Sequence, residues 1–168
     1  MKIIGIDPGL TRTGWGVIEA KGSHLKHLAH GVITTPAKAD LPHRLTHIYD
    51  TLVHTITTWQ PDTAAVEETF VNNNQASALK LGFARGVALL APAKAGLEVG
   101  EYPATLVKKA VTGAGRADKA QIQAVIKMLL PGIDAPPDAA DALAVAICHA
   151  HHASTKTLLG GVMAGGKR

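Results

Sequence analysis

The stretch Lys2-Ile3-Ile4-Gly5-Ile6-Asp7-Pro8-Gly9 restricts the fold more than any other in the chain. Isoleucines at 3, 4 and 6 predict a buried strand. Pro8 ends it, because proline has no N–H to give to a ladder. Asp7 is then held at the mouth of a core strand, where a carboxylate needs a cation beside it. Further acids far along the chain, Glu67 and the pair Asp138 and Asp141, are placed to share that cation.

The totals fit a single enzyme-sized domain. The chain has 168 residues, enough for a full core. Hydrophobic residues make up 46% and charged residues 18%, which excludes a disordered chain. A net charge of +4 agrees with nucleic acid as a partner without requiring it. Cys148 is the single cysteine, so no internal disulfide can form. Asp7 interrupts the first apolar run at once, so no secretory leader is expected there. Runs such as 142–148 fall far short of the roughly 18 residues of a membrane helix. The expectation is a cytoplasmic protein with no membrane contact.

Taken in order, Gly14 to Ile18 predicts a second strand, its two glycines marking close backbone approach or a bulge. Residues Leu28 to Thr35 predict a third, and the short connections predict an antiparallel meander. Leu41, Leu45, Ile48, Leu52, Ile56 and Trp59 recur at helical spacing, and Gln60-Pro61-Asp62 stops that helix. Thr63 to Glu67 is a strand expected parallel to the first, since it arrives through a helical crossover. A long helix is expected from the Asn72-Asn73-Asn74 signal to about Ala91, with Ala76, Leu79, Phe83, Val87 and Leu90 on one stripe. Then follow a fifth strand, Leu97 to Tyr102, and helices at about 104–111, 118–130 and 138–151. The expected architecture is α/β, a mixed five-stranded sheet flanked by helices. Residues 1–152 form the domain, and the Gly-rich 153–168 are expected to be a disordered tail.

Asp7 and Glu67 would end two neighbouring parallel strands, and Asp138 and Asp141, three apart, share one helix face. An all-carboxylate set suits Mg²⁺, with Mn²⁺ as the alternative, rather than zinc. The matching chemistry is phosphodiester hydrolysis: two metals about 3.5–4 Å apart activate a water and stabilise the leaving oxygen of an in-line displacement. Each acid also has a plainer reading alone. Asp138 can be an N-cap after Pro136-Pro137, Glu67 a solvated strand-end carboxylate, and Asp7 a turn residue.

With these residues assigned, the sequence resembles the RuvC family of bacterial Holliday junction resolvases. The matching strings are Gly5-Ile6-Asp7-Pro8-Gly9, Thr13-Gly14-Trp15-Gly16-Val17, Val66-Glu67 with Phe70, the run Ala78 to Val87, and Asp138-Ala139-Ala140-Asp141-Ala142-Leu143-Ala144. The likeness covers about residues 1–152. It implies an RNase H-like fold and a homodimer that binds four-way junction DNA and nicks two strands symmetrically. It also implies 5′-phosphate and 3′-hydroxyl ends, some preference around a TT step, and work alongside the RuvA–RuvB branch-migration complex. By position, Asp7, Glu67, Asp138 and Asp141 match the family's catalytic, metal-binding acids.

Around these acids the resemblance implies that Phe70 stacks on a junction base and that Lys108 and Lys119 contact DNA. Base stacking on a ring is worth roughly 1–3 kcal/mol. A core phenylalanine after a strand is the alternative for Phe70. Lys80, Arg85 and Arg116 are further basic candidates for phosphate contact. Asp118 and Gln121 have the spacing of a capping box, after a glycine loop at Gly113-Ala114-Gly115. Ala78, Gly82 and Gly86, four apart, predict tight packing of the long helix, against the sheet or against a second helix. His43, His47 and His54 share a face opposite the leucines and read as a solvated surface. His149, His151 and His152 are placed at a fraying helix end, and Cys148 reads as a small core residue. An actin-like or sugar-kinase-like phosphotransfer domain opens similarly but leaves the 138–144 segment without a role. A non-catalytic junction-binding protein would not need the acids.

Overall fold

The computed structural model describes residues 1–68 and 75–164, with backbone alone at 75 and 154–164. Its elements are β1 (Lys2–Asp7), β2 (Arg12–Lys21), β3 (His24–Thr34), α1 (Leu41–Trp59), β4 (Thr63–Glu68), α2 (Gln75–Lys94), β5 (Glu98–Pro103), α3 (Ala104–Thr112), α4 (Lys119–Leu129) and α5 (Pro137–Ala164). The sheet has five strands in the order β3-β2-β1-β4-β5. β1–β2 and β2–β3 are antiparallel, whereas β4 joins β1 in parallel and β5 joins β4 in parallel. This is the expected meander followed by crossovers.

Alternation along β1 divides the core into two layers. Ile3 points into a layer shared with α3, α4 and α5, through Val107, Ile122, Ile126, Leu143 and Ile147. Ile4 and Ile6 point the other way, onto α1 and α2, through Ile48, Leu52, Ile56, Ala84 and Ala88. Burying one such aliphatic side chain is worth about 1.5–3 kcal/mol.

Helix α5 lies unusually close to the sheet because the sheet offers it glycines. A Cβ at Gly5 would stand 2.1 Å from the Ala142 carbonyl oxygen, and one at Gly14 would stand 1.9 Å from that of Asp138. Ala139, Ala142 and Ala146 complete the seat, fully buried. The expected bulge in β2 is also found, one residue beyond the glycines: the β2–β3 register slips between Val17 and Ile18.

Some expectations are corrected. β2 and β3 are longer than their apolar runs, since an exposed turn at Gly22, with φ +58°, lets polar ends continue the ladder. Helix α5 continues past the expected end near His151 to Ala164, no proline or glycine intervening before Gly160. On α2 the buried stripe is Ala84, Ala88 and Ala91, not the larger apolar residues, and Leu79, Phe83 and Leu90 are exposed. Gly82 and Gly86 face open space rather than the sheet. Small side chains let α2 approach the sheet, which turns its bulky stripe outward. His149 is buried, not frayed: Nε2 meets Thr63 Oγ1 at 3.1 Å and Nδ1 meets the Tyr102 hydroxyl at 2.8 Å. His43, His47 and His54 are exposed and Cys148 is buried, as read. Among the described residues no helix is long and apolar enough to cross a membrane.

The seat of α5 can be tested directly. Gly14→Ala forces the first turn of α5 off β2 and destabilises the fold by about 1–3 kcal/mol. Thermal unfolding followed by circular dichroism should show a melting temperature lower by about 2–4 °C for each 1 kcal/mol. An unchanged melting temperature would contradict the close seat.

Candidate active site

Asp7 ends β1, and the parallel pairing of Ile6 with Val66 sets Glu67 beside it on β4. Thr13 fixes the turn after Asp7 by donating to the Gly9 carbonyl at 2.7 Å while accepting from the Gly9 amide at 3.3 Å. Pairing of Asp7 with Gly14 brings β2 alongside. Gly14 is also where the Asp138 backbone rests, so the first turn of α5 is delivered to the end of β1. Asp138 and Asp141 therefore reach one strand mouth from a helix more than a hundred residues later in the chain.

A cavity of about 270 Å³ opens there, lined by Asp7, Glu67 and Asp141, by Lys108 and Lys119, and by Val107 and Ile122. Burial pushes the Asp7 carboxyl up to about 8, with Glu67, then Asp141, then Asp138 adding repulsion and Lys119 opposing. Burial followed by Asp141 pushes Glu67 up to about 7, against Lys108 and Lys119. Asp141 is also raised, by burial, although the nearby Lys119 opposes this. Buried like charges of this kind favour protons, or a metal in their place.

Two side-chain cations pair with the acids of α5. Arg12 Nε donates to Asp138 Oδ2 at 2.6 Å, and Lys119 Nζ stands 3.5 Å from Asp141 Oδ2. As they stand, no three His, Cys, Asp or Glu side chains among the described residues are gathered tightly enough to ligate one ion. Asp138 is held at the rim by Arg12 and does not line the cavity.

The other expected site residues divide. Lys108 and Lys119 line the acidic cavity. The capping box forms, with the Gln121 amide donating to Asp118 at 2.8 Å and the Asp118 amide to Gln121 at 3.0 Å, and it fixes the start of the helix that carries Lys119. Arg116 is exposed on the loop before it. Arg85 is committed to an ion pair with Glu101 on β5. Lys80 lies on a second cavity, beside Thr11 and Arg44. Phe70 lies outside the described residues. Sequence reasoning missed Arg12 and Arg44. The available signal for Arg12 was a basic residue just after the Asp-Pro-Gly turn; for Arg44 it was an arginine preceding the buried helical stripe of α1.

Comparison with known proteins agrees with this geometry. The family model described as crossover junction endodeoxyribonuclease RuvC matches residues 3–149. Proteins of that name from Paramagnetospirillum magneticum and Maricaulis maris are 59% and 56% identical, over 95% and 94% of this chain and 96% and 95% of their own. Among solved structures, T. thermophilus RuvC in complex with a Holliday junction substrate superposes with a TM-score of 0.87 at 33% identity, over 94% of this chain and 97% of that one. The fold is therefore RNase H-like, as expected. A nuclease of the hydrolase class follows from the same matches, and the chain belongs to the RuvC family of crossover junction endodeoxyribonucleases.

Proposed function

We propose that this chain resolves four-way DNA junctions by metal-dependent hydrolysis, cutting two strands symmetrically and leaving 5′-phosphate and 3′-hydroxyl ends. The observation that carries the reading is the burial of Asp7 and Glu67 against Asp141 in a cavity walled by Lys108 and Lys119. The donor set is all carboxylate oxygen, which fits hard divalent cations such as Mg²⁺, or Mn²⁺, and not a soft metal. Asp7, Glu67, Asp138 and Asp141 would hold two such ions. When bound, these supply charge neutralisation at the phosphate and a water acidic enough to attack in line.

The remaining work falls to the chain's own groups. Lys108 and Lys119 draw the scissile phosphate towards the acids and balance its charge. Arg12 restrains Asp138, and Lys119 restrains Asp141, before the negative charge is taken up elsewhere. Val107 and Ile122 give the cavity a dry wall, which strengthens every charge interaction inside it. Arg116, exposed on the loop before α4, contacts backbone phosphate, and Phe70, three residues after Glu67 in the sequence, stacks on a base beside the cut.

Symmetric cuts need two sites of opposite polarity, hence a two-fold homodimer. The open side of α2 fits a second copy: Leu79, Phe83 and Leu90 are exposed there, and Gly82 and Gly86 leave room for close approach. The TM-score of 0.87 against RuvC bound to a Holliday junction supports the four-way junction as substrate. Cooperation with a RuvA–RuvB branch-migration complex in the cytoplasm completes the proposal.

Two outcomes are expected. With Mg²⁺, the protein should place paired nicks in a labelled synthetic four-way junction and leave linear duplex intact. Asp7→Asn should bind the junction normally and cut more than about 100-fold more slowly, since even second-shell metal partners are worth 10–100-fold. Cutting retained in Asp7→Asn would remove the acids from the reaction. The second outcome concerns pH. In metal-free protein Asp7 and Glu67 titrate near 8 and 7, above their ordinary 3.8 and 4.5. The folded state then holds more protons than the unfolded state from about pH 4 to about 8, so stability falls as pH rises through that range and levels off above it, most cleanly from about 6.5 to 8. His27 and His149, whose pKa values burial lowers, oppose this only below their ordinary 6.5. The melting temperature in chelator should drop across that window, Asp7→Asn should flatten the drop, and Mg²⁺ or Mn²⁺ should stabilise most at the high end. A flat profile in wild type would contradict the buried repulsion.

A further inference from the structure

Arg44 projects from the first turns of α1 into the protein, 8% exposed. Its Nε donates to Thr35 Oγ1 at 2.9 Å, and its Nη2 donates to the Leu10 carbonyl at 3.2 Å and to Thr11 Oγ1 at 3.0 Å. All three acceptors are neutral. Among the described residues no carboxylate pairs with Arg44, and Nη1 has no hydrogen-bond partner. A buried guanidinium is normally met by an anion, since neutral groups only partly replace its hydration.

The anion's place is beside it. A cavity of about 270 Å³ is lined by Arg44, Lys80, Thr11, Ser77 and Leu10. Among the described residues it holds two cationic side chains and no acidic one, the reverse of the cavity at Asp7. Lys80 is exposed on α2 and makes no ion pair among the described residues. Leu10 and Thr11 belong to the same turn as Asp7, and chain geometry keeps Thr11 within about 14 Å of it. The cavity is therefore close enough to the acids for a DNA strand laid over them to reach it within a few nucleotides of the cut.

We infer that the Arg44–Lys80 cavity is a phosphate subsite, which clamps one backbone phosphodiester of the strand being cut and so sets that strand's register over Asp7. This rests on the reading of the chain as a junction nuclease. The planar fork of Arg44 supplies directed donors, pre-set by Thr35 and Thr11. Lys80 supplies a mobile charge at the mouth. The subsite reads no base, and it positions the strand.

The test compares wild type with Arg44→Gln, Lys80→Gln and the double variant, with melting temperatures recorded for each. Junction affinity is measured in chelator from 50 to 200 mM salt. Each phosphate contact adds about 0.9 to the salt slope, so each single variant should lose about 3.5-fold less affinity over that range than wild type. Because both side chains clamp one phosphate, the double variant should match the singles instead of adding to them. Single-turnover cleavage at saturating protein should slow in all three. A slope unchanged in either single variant, even with a lowered melting temperature, would make Arg44 a structural strut and overturn the subsite. If Arg44→Gln fails to fold, Lys80→Gln and Thr11→Val carry the same measurement, with the same outcomes on either side. Should wild type bind no junction at all, the function reading fails by itself. The subsite is then judged with inorganic phosphate, which should shift the Arg44 Nε–H resonance in wild type and not in Lys80→Gln. No shift in wild type would overturn it.

Discussion

The packing of α5 against the glycines of β1 and β2 is the contact on which the other features of this molecule depend. Helices usually stand off a sheet by the length of their side chains. Here Gly5 and Gly14 remove the intervening Cβ atoms and the backbones nearly touch. The alanines of α5 are buried in that seam, with Leu143 and Ile147 beside them. Close seating has a chemical result. It carries the N-terminal turn of α5, with Asp138 and Asp141, to the place where β1 and β4 deliver Asp7 and Glu67.

The site so built is strained by charge. Carboxylates in a half-dry cavity repel one another, and burial raises them further, so Asp7 and Glu67 keep protons near neutral pH. A fold selected for stability alone would not place them there. Lys119, Lys108 and Arg12 relieve part of the repulsion from the rim. Exposed pairs of this kind contribute little individually. On the proposed reading the larger relief comes from a divalent cation among the acids, and the same electrostatics that raise Asp7 and Glu67 favour that cation.

Much of this was legible in the sequence because it is written in local patterns. The isoleucines and Pro8 set the end of β1 at Asp7, the three-residue spacing set Asp138 and Asp141 on one face, and Asp118 with Gln121 formed the expected cap. What was not legible depends on distant packing. On α2, periodicity pointed to the bulky stripe, whereas the sheet took the alanines, a choice made by the closeness of approach. The ion pair between Arg12 and Asp138 joins residues 126 positions apart, which no local window contains. Arg44 carries no local signal of burial on α1, and only the turn at Leu10 and the end of β3 reveal that it is buried. His149 gave the appearance of a frayed end because nothing nearby in sequence names Thr63 and Tyr102 as its partners.

We propose that one strand mouth, assembled by the seat of α5, gathers these acids around divalent metal. Anomalous diffraction from crystals grown with Mn²⁺ tests it most directly. Two peaks are expected about 3.5–4 Å apart between Asp7, Glu67, Asp138 and Asp141, with Arg12 and Lys119 displaced from their carboxylates. Saturating Mn²⁺ with no peak at these acids, or peaks only at surface histidines, would contradict it.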